Sequence, residues 1–308
     1  MSSPLVSIVL VARNGIATLP PLLDAIARQR VDFTFEVVAV DSGSTDGSAE
    51  LLARSVDRFA AIDPATFNHG LTRNLAVEHA HGELVVLLVQ DALPAADTWL
   101  AELTLPLRSD PEIAGAFGRQ CPRPDASAIT LHYWPTAVVA ASVSHSLPPL
   151  TPEALAALEP MDRLRRCTFD NVCSCIRRSV WLRFPFRKTT IAEDLEWAKE
   201  VLLAGFRLQF VSSAVVLHSH ERSARYEFAR TYALHGRLFE LFDLRTIPTF
   251  RRWIRAVASS LSLHLRCEWA RPRAWGRAIA LAIAWPLGQY LGGLAGANGW
   301  RRRKLGDV

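Results

Sequence analysis

The feature that most restricts the fold is a run of six apolar residues, Leu84–Val89 (LVVLLV), which stops abruptly at Gln90-Asp91-Ala92-Leu93-Pro94. A short, unbroken run of Val and Leu has no polar face. It suits a strand buried on both sides of a parallel sheet. Two earlier stretches read alike: Pro4–Ala12 (PLVSIVLVA) and Glu36–Val40 (EVVAV). Each leads into a polar turn and then a helical pattern. Arg13-Asn14-Gly15 precedes a helix over 19–30, with Leu22, Leu23, Ile26 and Ala27 on one face and Pro20 and Pro21 near its start. The segment Asp41–Gly47 precedes a helix from Ser48 to about Arg58. Strand alternating with helix predicts an α/β fold, a mostly parallel sheet flanked by helices. Ligands of such sheets bind just beyond the carboxyl ends of the strands. Asp91 stands at such an end, where a lone Asp also serves as an ordinary turn former.

Composition narrows the class. The chain has 308 residues, 50% apolar and 21% charged, so it can bury a substantial core. Five Cys without regular spacing argue against a disulfide framework and for a reducing compartment. Cys173-Ser174-Cys175 is too tight for a zinc pair and reads as alternating strand residues. The first residues show no charged segment followed by an apolar one, so no signal peptide is expected.

The loops carry the chemistry. Asp41-Ser42-Gly43-Ser44-Thr45-Asp46-Gly47 places small residues and two carboxylates where the chain leaves a strand, which suits a nucleotide; Asp46 or Ser44 would equally cap the next helix. Neither a dinucleotide fingerprint nor a P-loop is present. After a short strand at 60–62 comes Asp63–Asn74, dense in Asn, His, Thr and Arg, and opening a helix to about Ala80. Arg73 and Asn74 are expected in its first turn, where an anion is favoured. Further on, a helix over 97–107 and a strand of small residues over 114–120 lead to an irregular, aromatic stretch at 125–165, with His132, Tyr133 and Trp134. Phe169–Ile176 reads as a strand carrying Asp170, Asn171 and Ser174. Glu193-Asp194 opens a helix with Leu195, Trp197, Ala198, Val201 and Leu202 at helical spacing, closed by Gly205. Acidic residues at a helix start also satisfy the helix dipole. A last strand, 207–216, runs into Leu217-His218-Ser219-His220.

In this order the motifs resemble glycosyltransferase family 2, the inverting nucleotide-sugar transferases with a GT-A fold. The residues concerned are Ser7-Ile8-Val9 to Asn14, Val40–Asp46, Phe67-Asn68-His69-Gly70 with Thr72-Arg73-Asn74-Leu75-Ala76, and Gln90-Asp91-Ala92. Asn68-His69-Gly70, Thr72-Arg73-Asn74 and Gln90-Asp91-Ala92 look most like its rhamnosyltransferase-like branch. The resemblance implies a nucleoside-diphosphate-sugar donor held by Asn14, Asp41, Ser42, Arg73, Asn74, Gln90 and Asp91. It implies Asp194 as general base with Glu193 beside it, and Asp170, Asn171 and Trp197 near donor or acceptor. The wider family carries two or three Asp where this chain has Val89-Gln90-Asp91-Ala92. One carboxylate is a thin site for Mg²⁺ or Mn²⁺, so the resemblance implies His218, with His220 as the alternative, as a second ligand beside Asp91.

The C-terminal part is basic. From Thr249 onward Arg251, Arg252, Arg255, Arg266, Arg271, Arg273, Arg277, Arg301, Arg302, Arg303 and Lys304 face only Glu268 and Asp307. Ala278–Ala297 lacks charge for twenty residues but contains Pro286, Gln289 and several Gly. A surface-lying or docked helix fits it better than a membrane span. Trp253, Trp269, Trp275, Trp285 and Trp300 suit an interfacial level. The expectation is a catalytic domain over 1–245 and a basic helical region over 246–308 at the inner face of the cell membrane, acting from the cytoplasm on a lipid-linked or polysaccharide acceptor. A non-catalytic sugar-nucleotide-binding module of the same fold is the alternative. Nucleic acid is not an expected partner, because the tail lacks a recognition motif.

Overall fold

The computed structural model describes residues 4–134 and 138–297. The readings placed on residues 1–3, on Trp300 and on the basic run 301–304 lie outside them. The chain divides into two compact units, each described by itself.

The first unit comprises 4–121, 138–157 and 166–218 of the described residues. It begins β1 (Val6–Ala12), α1 (Leu19–Ala27), β2 (Phe35–Asp41), α2 (Ser48–Ser55), β3 (Arg58–Ala61), α3 (His69–Glu78) and β4 (Leu84–Val89). β1 lies between β2 and β4, parallel to both, and β3 extends this parallel array beyond β2. The apolar runs are thereby covered on both faces. Val6, Ile8, Leu10, Leu84, Val86 and Leu88 are each at most 2% exposed, contributing roughly 1.5–3 kcal/mol per side chain. The one polar residue inside β1, Ser7, donates to Glu36 Oε1 at 2.7 Å and accepts from the Gly82 amide at 2.8 Å, so it is buried but satisfied. Helix ends differ from the periodic pattern by a few residues. α1 stops at Ala27 and α2 at Ser55, since Val56 turns extended to reach β3.

Beyond β4 the sheet becomes mixed. The chain continues through β5 (Leu93–Pro94), α4 (Trp99–Ser109), β6 (Ile113–Cys121), α5 (Ala128–Tyr133), β7 (His145–Leu147), α6 (Pro152–Ala156), α7 (Pro160–Arg166), β8 (Cys173–Arg177), α8 (Arg178–Trp181), α9 (Glu193–Leu203) and β9 (Arg207–Leu217). The strand order is β3-β2-β1-β4-β8-β6-β9-β5, with β7 also on β9. β8 runs antiparallel to both β4 and β6. Its amino end therefore meets the carboxyl ends of β4 and β6, and the Val89 amide donates to the Val172 carbonyl at 3.1 Å. β6 and β9 are parallel, with a register jump of β9 between Val211 and Val215. The carboxyl ends of β1, β2, β4, β6 and β9 thus share one edge of the sheet with the segment that leads into β8. Cys173 and Cys175 lie buried within β8, and all five cysteines are free. Burial pushes the Cys173 thiol up to about 12, so it is a packing residue rather than a nucleophile.

The second unit gathers 122–134, 158–165 and 219–297. Its division from the first falls at Ser219, earlier than the expected boundary at 246, and it recruits two earlier segments. α10 (Ala224–Phe242) is capped by Ser223 and closed by Asp243 at φ 57°. α11 (Phe250–Cys267) is capped by Thr249, and α12 (Trp275–Ala297) follows. α12 packs on α10 through Gly288, Gly292 and Gly296; a methyl group on Gly292 would stand 2.3 Å from the Tyr232 carbonyl oxygen. Small residues permit this approach and explain the uncharged stretch as a helix-packing surface. Pro272–Ala297 is long and apolar enough to cross a membrane by composition alone, and half of its apolar window is buried within the protein. α11 is different. Phe250 and Ile254 are more than half or half exposed (57% and 50%), amid exposed Arg251, Arg252 and Arg255.

Candidate active site

The loops after β1, β2 and β4 are tied together by their own polar side chains. Asp41 ends β2, and its Oδ1 accepts from the amides of Gly43 and Ser44 at 2.9 and 2.8 Å while Oδ2 accepts from the Ser44 hydroxyl. Ser42 donates to the Ala12 carbonyl at 3.0 Å. Asn14, at φ 50°, receives the Thr45 amide on its Oδ1 at 2.9 Å. Asp46 accepts from the Ser48 hydroxyl and amide and from the Ile16 amide. This network holds its carboxyl below the usual range. Gln90 accepts from the Arg13 amide at 2.8 Å and donates to the Arg13 carbonyl at 3.0 Å. Asn14, Asp41, Ser42 and Gln90 were expected as donor contacts. In this structure their side chains build the loops at the sheet edge, and Asp41 and Ser42 are each 1% exposed.

α3 starts at His69, with Asn68 as N-cap accepting from the Leu71 amide at 3.2 Å. Arg73 and Asn74 therefore lie in its second turn rather than its first, and neither is at the anion-binding end. Asn74 donates to the Phe186 carbonyl at 2.7 Å and accepts from the Phe186 amide and the Trp181 indole. It clamps the segment after β8. Gly70, which follows the cap, is required by close approach: a Cβ there would lie 1.9 Å from the Arg187 carbonyl oxygen.

Arg73 reaches Glu193 at 2.7 Å, both largely buried (13% and 5% side-chain exposure). Glu193 is the first residue of α9, behind Ala192 in the left-handed region at φ 61°, a conformation costing an L-residue roughly 1–2 kcal/mol. Asn171 donates its side-chain amide to Glu193 and its backbone amide to Asp194, each at 3.3 Å, and is itself held by Ser174 at 3.0 Å. Burial pushes the Glu193 carboxyl up, but the Arg73 guanidinium and His69 outweigh it and hold the group below its usual range. Asp194 goes the other way. Burial, then the charges of Glu193 and Asp170, push its carboxyl well above the usual range, with Arg73 and the Leu195 amide opposing. Burial likewise lowers His69, whose ring stands 3.4 Å from Arg73 and packs edge-on to Phe67 at 4.9 Å. Two adjacent carboxyls with opposite shifts is the pattern that separates a charged positioning group from a proton acceptor.

The antiparallel pairing of Leu93 with Leu217 brings the residues just before β5 opposite those just after β9. Asp91 Oδ1 and His218 Nε2 are consequently 3.7 Å apart, with 19% and 11% of their side chains exposed. The other ring nitrogen of His218 contacts Gln120 Oε1 at 3.0 Å, and Gln120 Nε2 donates to Asp170 Oδ2 at 3.0 Å. Asp170 also accepts from the Val172 amide at 2.8 Å. Asp170 and Asn171 are neighbours, so one continuous polar cluster runs from Asp91 and His218 through Gln120 to Asp194, Glu193 and Arg73. A carboxylate and an imidazole nitrogen on one side of this cluster suit a borderline cation such as Mn²⁺. His220 lies two residues beyond His218 along the chain.

Trp197 does not belong to this cluster. It is 1% exposed, donates to the Phe184 carbonyl at 3.0 Å and packs on Phe169 and Phe186, so it is a core residue rather than a donor or acceptor contact. Its place at helical spacing beside Ala198, Val201 and Leu202 already carried that signal. Gln120 and His69 were missed. Nothing local marks Gln120 except its position at the carboxyl end of β6. His69 sits between an N-cap and a glycine, which does not show the ring turned towards Arg73.

The family model described as "Glycosyl transferase family 2" matches residues 7–147. The chain is 32% identical over 233 residues to an O-antigen chain rhamnosyltransferase of Salmonella typhimurium, covering 74% of this chain and 70% of that protein. It is 30% identical over 203 residues to an O-antigen chain rhamnosyltransferase of Salmonella anatum, covering 64% of this chain and 60% of that protein. Among solved structures, a mannosyltransferase from Pyrobaculum calidifontis in complex with GDP-Man and Mn²⁺ superposes with a TM-score of 0.58 at 21% identity, covering 97% of this chain and 88% of that one. That likeness establishes the GT-A fold. The ordered motifs, the strand-end cluster and these relatives lead to one conclusion: the chain belongs to glycosyl transferase family 2, in its rhamnosyltransferase-like branch, and is a nucleotide-sugar-dependent glycosyltransferase.

Proposed function

We propose that the enzyme moves a rhamnose-like sugar from a nucleoside diphosphate to a hydroxyl of a lipid-linked or polysaccharide acceptor, with inversion at the anomeric carbon. The observation that carries this reading is the placement of Asp194 at the start of α9, held by the Asn171 amide at 3.3 Å beside a Glu193 that Arg73 pairs at 2.7 Å; burial and the charges of Glu193 and Asp170 raise its carboxyl. Asp194 takes the acceptor's hydroxyl proton while that oxygen forms its bond to the anomeric carbon. The bond from that carbon to the diphosphate oxygen breaks in the same step, and the nucleoside diphosphate leaves with the electron pair. Glu193 does not touch the reacting atoms; with Arg73 it orients the start of α9 and keeps the proton on Asp194's side. The sugar class follows the two Salmonella relatives, both named rhamnosyltransferases of the O-antigen chain. Asn14, Asp41, Ser42 and Gln90 shape the nucleotide-facing edge. Asp170 and Asn171 join the base to the diphosphate side.

Asp91 and His218 would hold a divalent cation, Mn²⁺ fitting the imidazole better than Mg²⁺. When bound, the cation offsets the charge of the diphosphate leaving group. Its place is supported by the 3.7 Å approach of the two ligand atoms and by the cation in the Pyrobaculum structure. Calorimetry with a nucleoside diphosphate tests it. Asp91→Asn and His218→Ala are each expected to remove the Mn²⁺-dependent part of the affinity; binding equal to wild type, with and without Mn²⁺, would sink the assignment.

We also place the second unit at an anionic membrane surface, with α11 rather than α12 as the contacting helix. Exposed Phe250 and Ile254 among Arg251, Arg252 and Arg255 supply both apolar area and charge complementarity. Substituting Phe250 and Ile254 with Ser and the three Arg with Gln is expected to abolish co-flotation with phosphatidylglycerol vesicles. Flotation at the wild-type level would locate the contact elsewhere.

A further inference from the structure

We propose that Gln120 is a positioning residue that sets the tautomer of His218 and so makes its Nε2 a competent metal ligand. The proposal rests on Asp91 and His218 holding a divalent cation, and goes beyond it by assigning a residue and a polarity that neither the motif nor the fold supplies.

The argument starts from Asp170. Both of its oxygens act as acceptors, Oδ1 from the Val172 amide at 2.8 Å and Oδ2 from Gln120 at 3.0 Å. A carboxylate only accepts, so the Gln120 amide must turn its NH₂ towards Asp170. Its carbonyl oxygen, Oε1, then has to face His218 Nδ1, at 3.0 Å. An oxygen that can only accept requires Nδ1 to carry the proton. In a neutral imidazole the other nitrogen is then a lone pair. That nitrogen, Nε2, points to Asp91 Oδ1 at 3.7 Å. The chain of contacts has one polarity from end to end, and reversing any link would put a hydrogen where the cation belongs. Gln120 is 4% exposed and His218 9%, so solvent does not readily substitute for the missing partner.

Backbone geometry keeps the link in register. Gln120 lies opposite Val216 in the parallel pair of β6 with β9. The His218 amide donates to the Cys121 carbonyl at 2.8 Å. Two main-chain anchors thus flank the side-chain contact. Metal-bound histidines in general owe orientation and basicity to such an outer partner, whose loss typically weakens metal affinity about 10–100-fold.

The test uses the full-length protein, with Mn²⁺ alone as the probe. Gln120→Met keeps the volume and removes the acceptor; Gln120→Glu keeps the acceptor. In metal-free protein labelled with ¹⁵N-histidine, the His218 signal is identified by its loss in His218→Gln. Wild type and Gln120→Glu are expected in the Nδ1–H form, whereas Gln120→Met populates the Nε2–H form. Mn²⁺ affinity, read from the free-ion electron paramagnetic resonance signal, is expected to fall about 10–100-fold in Gln120→Met and to stay nearer wild type in Gln120→Glu. An Nε2–H form in wild type overturns the proposal without recourse to any variant. Unchanged Mn²⁺ affinity in folded Gln120→Met overturns it too and leaves the cation site standing. If Asp91→Asn and His218→Ala also bind Mn²⁺ like wild type, the cation site itself falls, and this assignment with it.

Discussion

Asp194→Asn is expected to lower the transfer rate by about 10²–10⁴-fold while leaving donor affinity within a few-fold of wild type, the usual worth of the general base proposed for this residue. Asn keeps the shape at the start of α9 and removes the proton acceptor. The pH profile carries a second expectation. As the proposed base, Asp194 acts only when ionised, and its carboxyl lies well above the ordinary Asp range because burial and the charges of Glu193 and Asp170 oppose ionisation. The rate therefore rises with pH, along a limb displaced upward from that of an exposed Asp. The same elevation makes the group a stronger base once ionised. Steady-state kinetics across pH, with donor binding measured separately, checks both statements. An Asp194→Asn enzyme that turns over at the wild-type rate would remove Asp194 from the reaction.

Arg73→Ala destabilises the fold by about 3–5 kcal/mol, the cost of leaving one member of a buried ion pair uncompensated. Glu193 has 5% of its side chain exposed and meets Arg73 at 2.7 Å; Asn171 also donates to it, at 3.3 Å. Without Arg73, Glu193 takes up a proton more readily, and Asp194 loses the cation that opposes its elevation. The double variant Arg73→Ala with Glu193→Gln is expected to recover much of the loss, since no buried charge then lacks a partner. Denaturant melts of the two variants and wild type decide the matter. An Arg73→Ala protein within 1 kcal/mol of wild type would show that the pair is not a structural anchor. In the structure Arg73 lies in the second turn of α3 and pairs with Glu193, which it helps keep ionised.

Much of the fold was legible because burial imposes composition. A strand covered on both faces is apolar almost throughout, so Val6–Ala12, Phe35–Asp41 and Leu84–Val89 announce themselves, as does their parallel arrangement through the helices between them. The helix at Glu193 was legible for the same reason, since Trp197, Ala198, Val201 and Leu202 share its buried face. What failed was local. Helix α3 begins at His69, so Arg73 and Asn74 moved from the first turn to the second. The cap on Asn68 decides that boundary, and caps are settled by a few hydrogen bonds rather than by periodicity.

The sequence by itself determined which edge of the sheet gathers the candidate site residues. Asn14, Asp41, Asp91 and His218 each stand where an apolar strand gives way to polar residues, and in an α/β sheet that edge is where ligands bind. It also supplied the Glu193-Asp194 pair, since both carboxyls open one helix. Only the tertiary structure decided which residues act together. Antiparallel β8 carries Asp170 and Asn171 to the same edge, and the short pairing of β5 with β9 sets Asp91 against His218. The same contacts turned Trp197 into core, gave Asn74 to the segment after β8, and drew Gln120 into the site. The physical reason is that a residue's type gives the groups it can offer, whereas a proton's position depends on which donors and acceptors come within about 3 Å of it, and those partners arrive from distant parts of the chain.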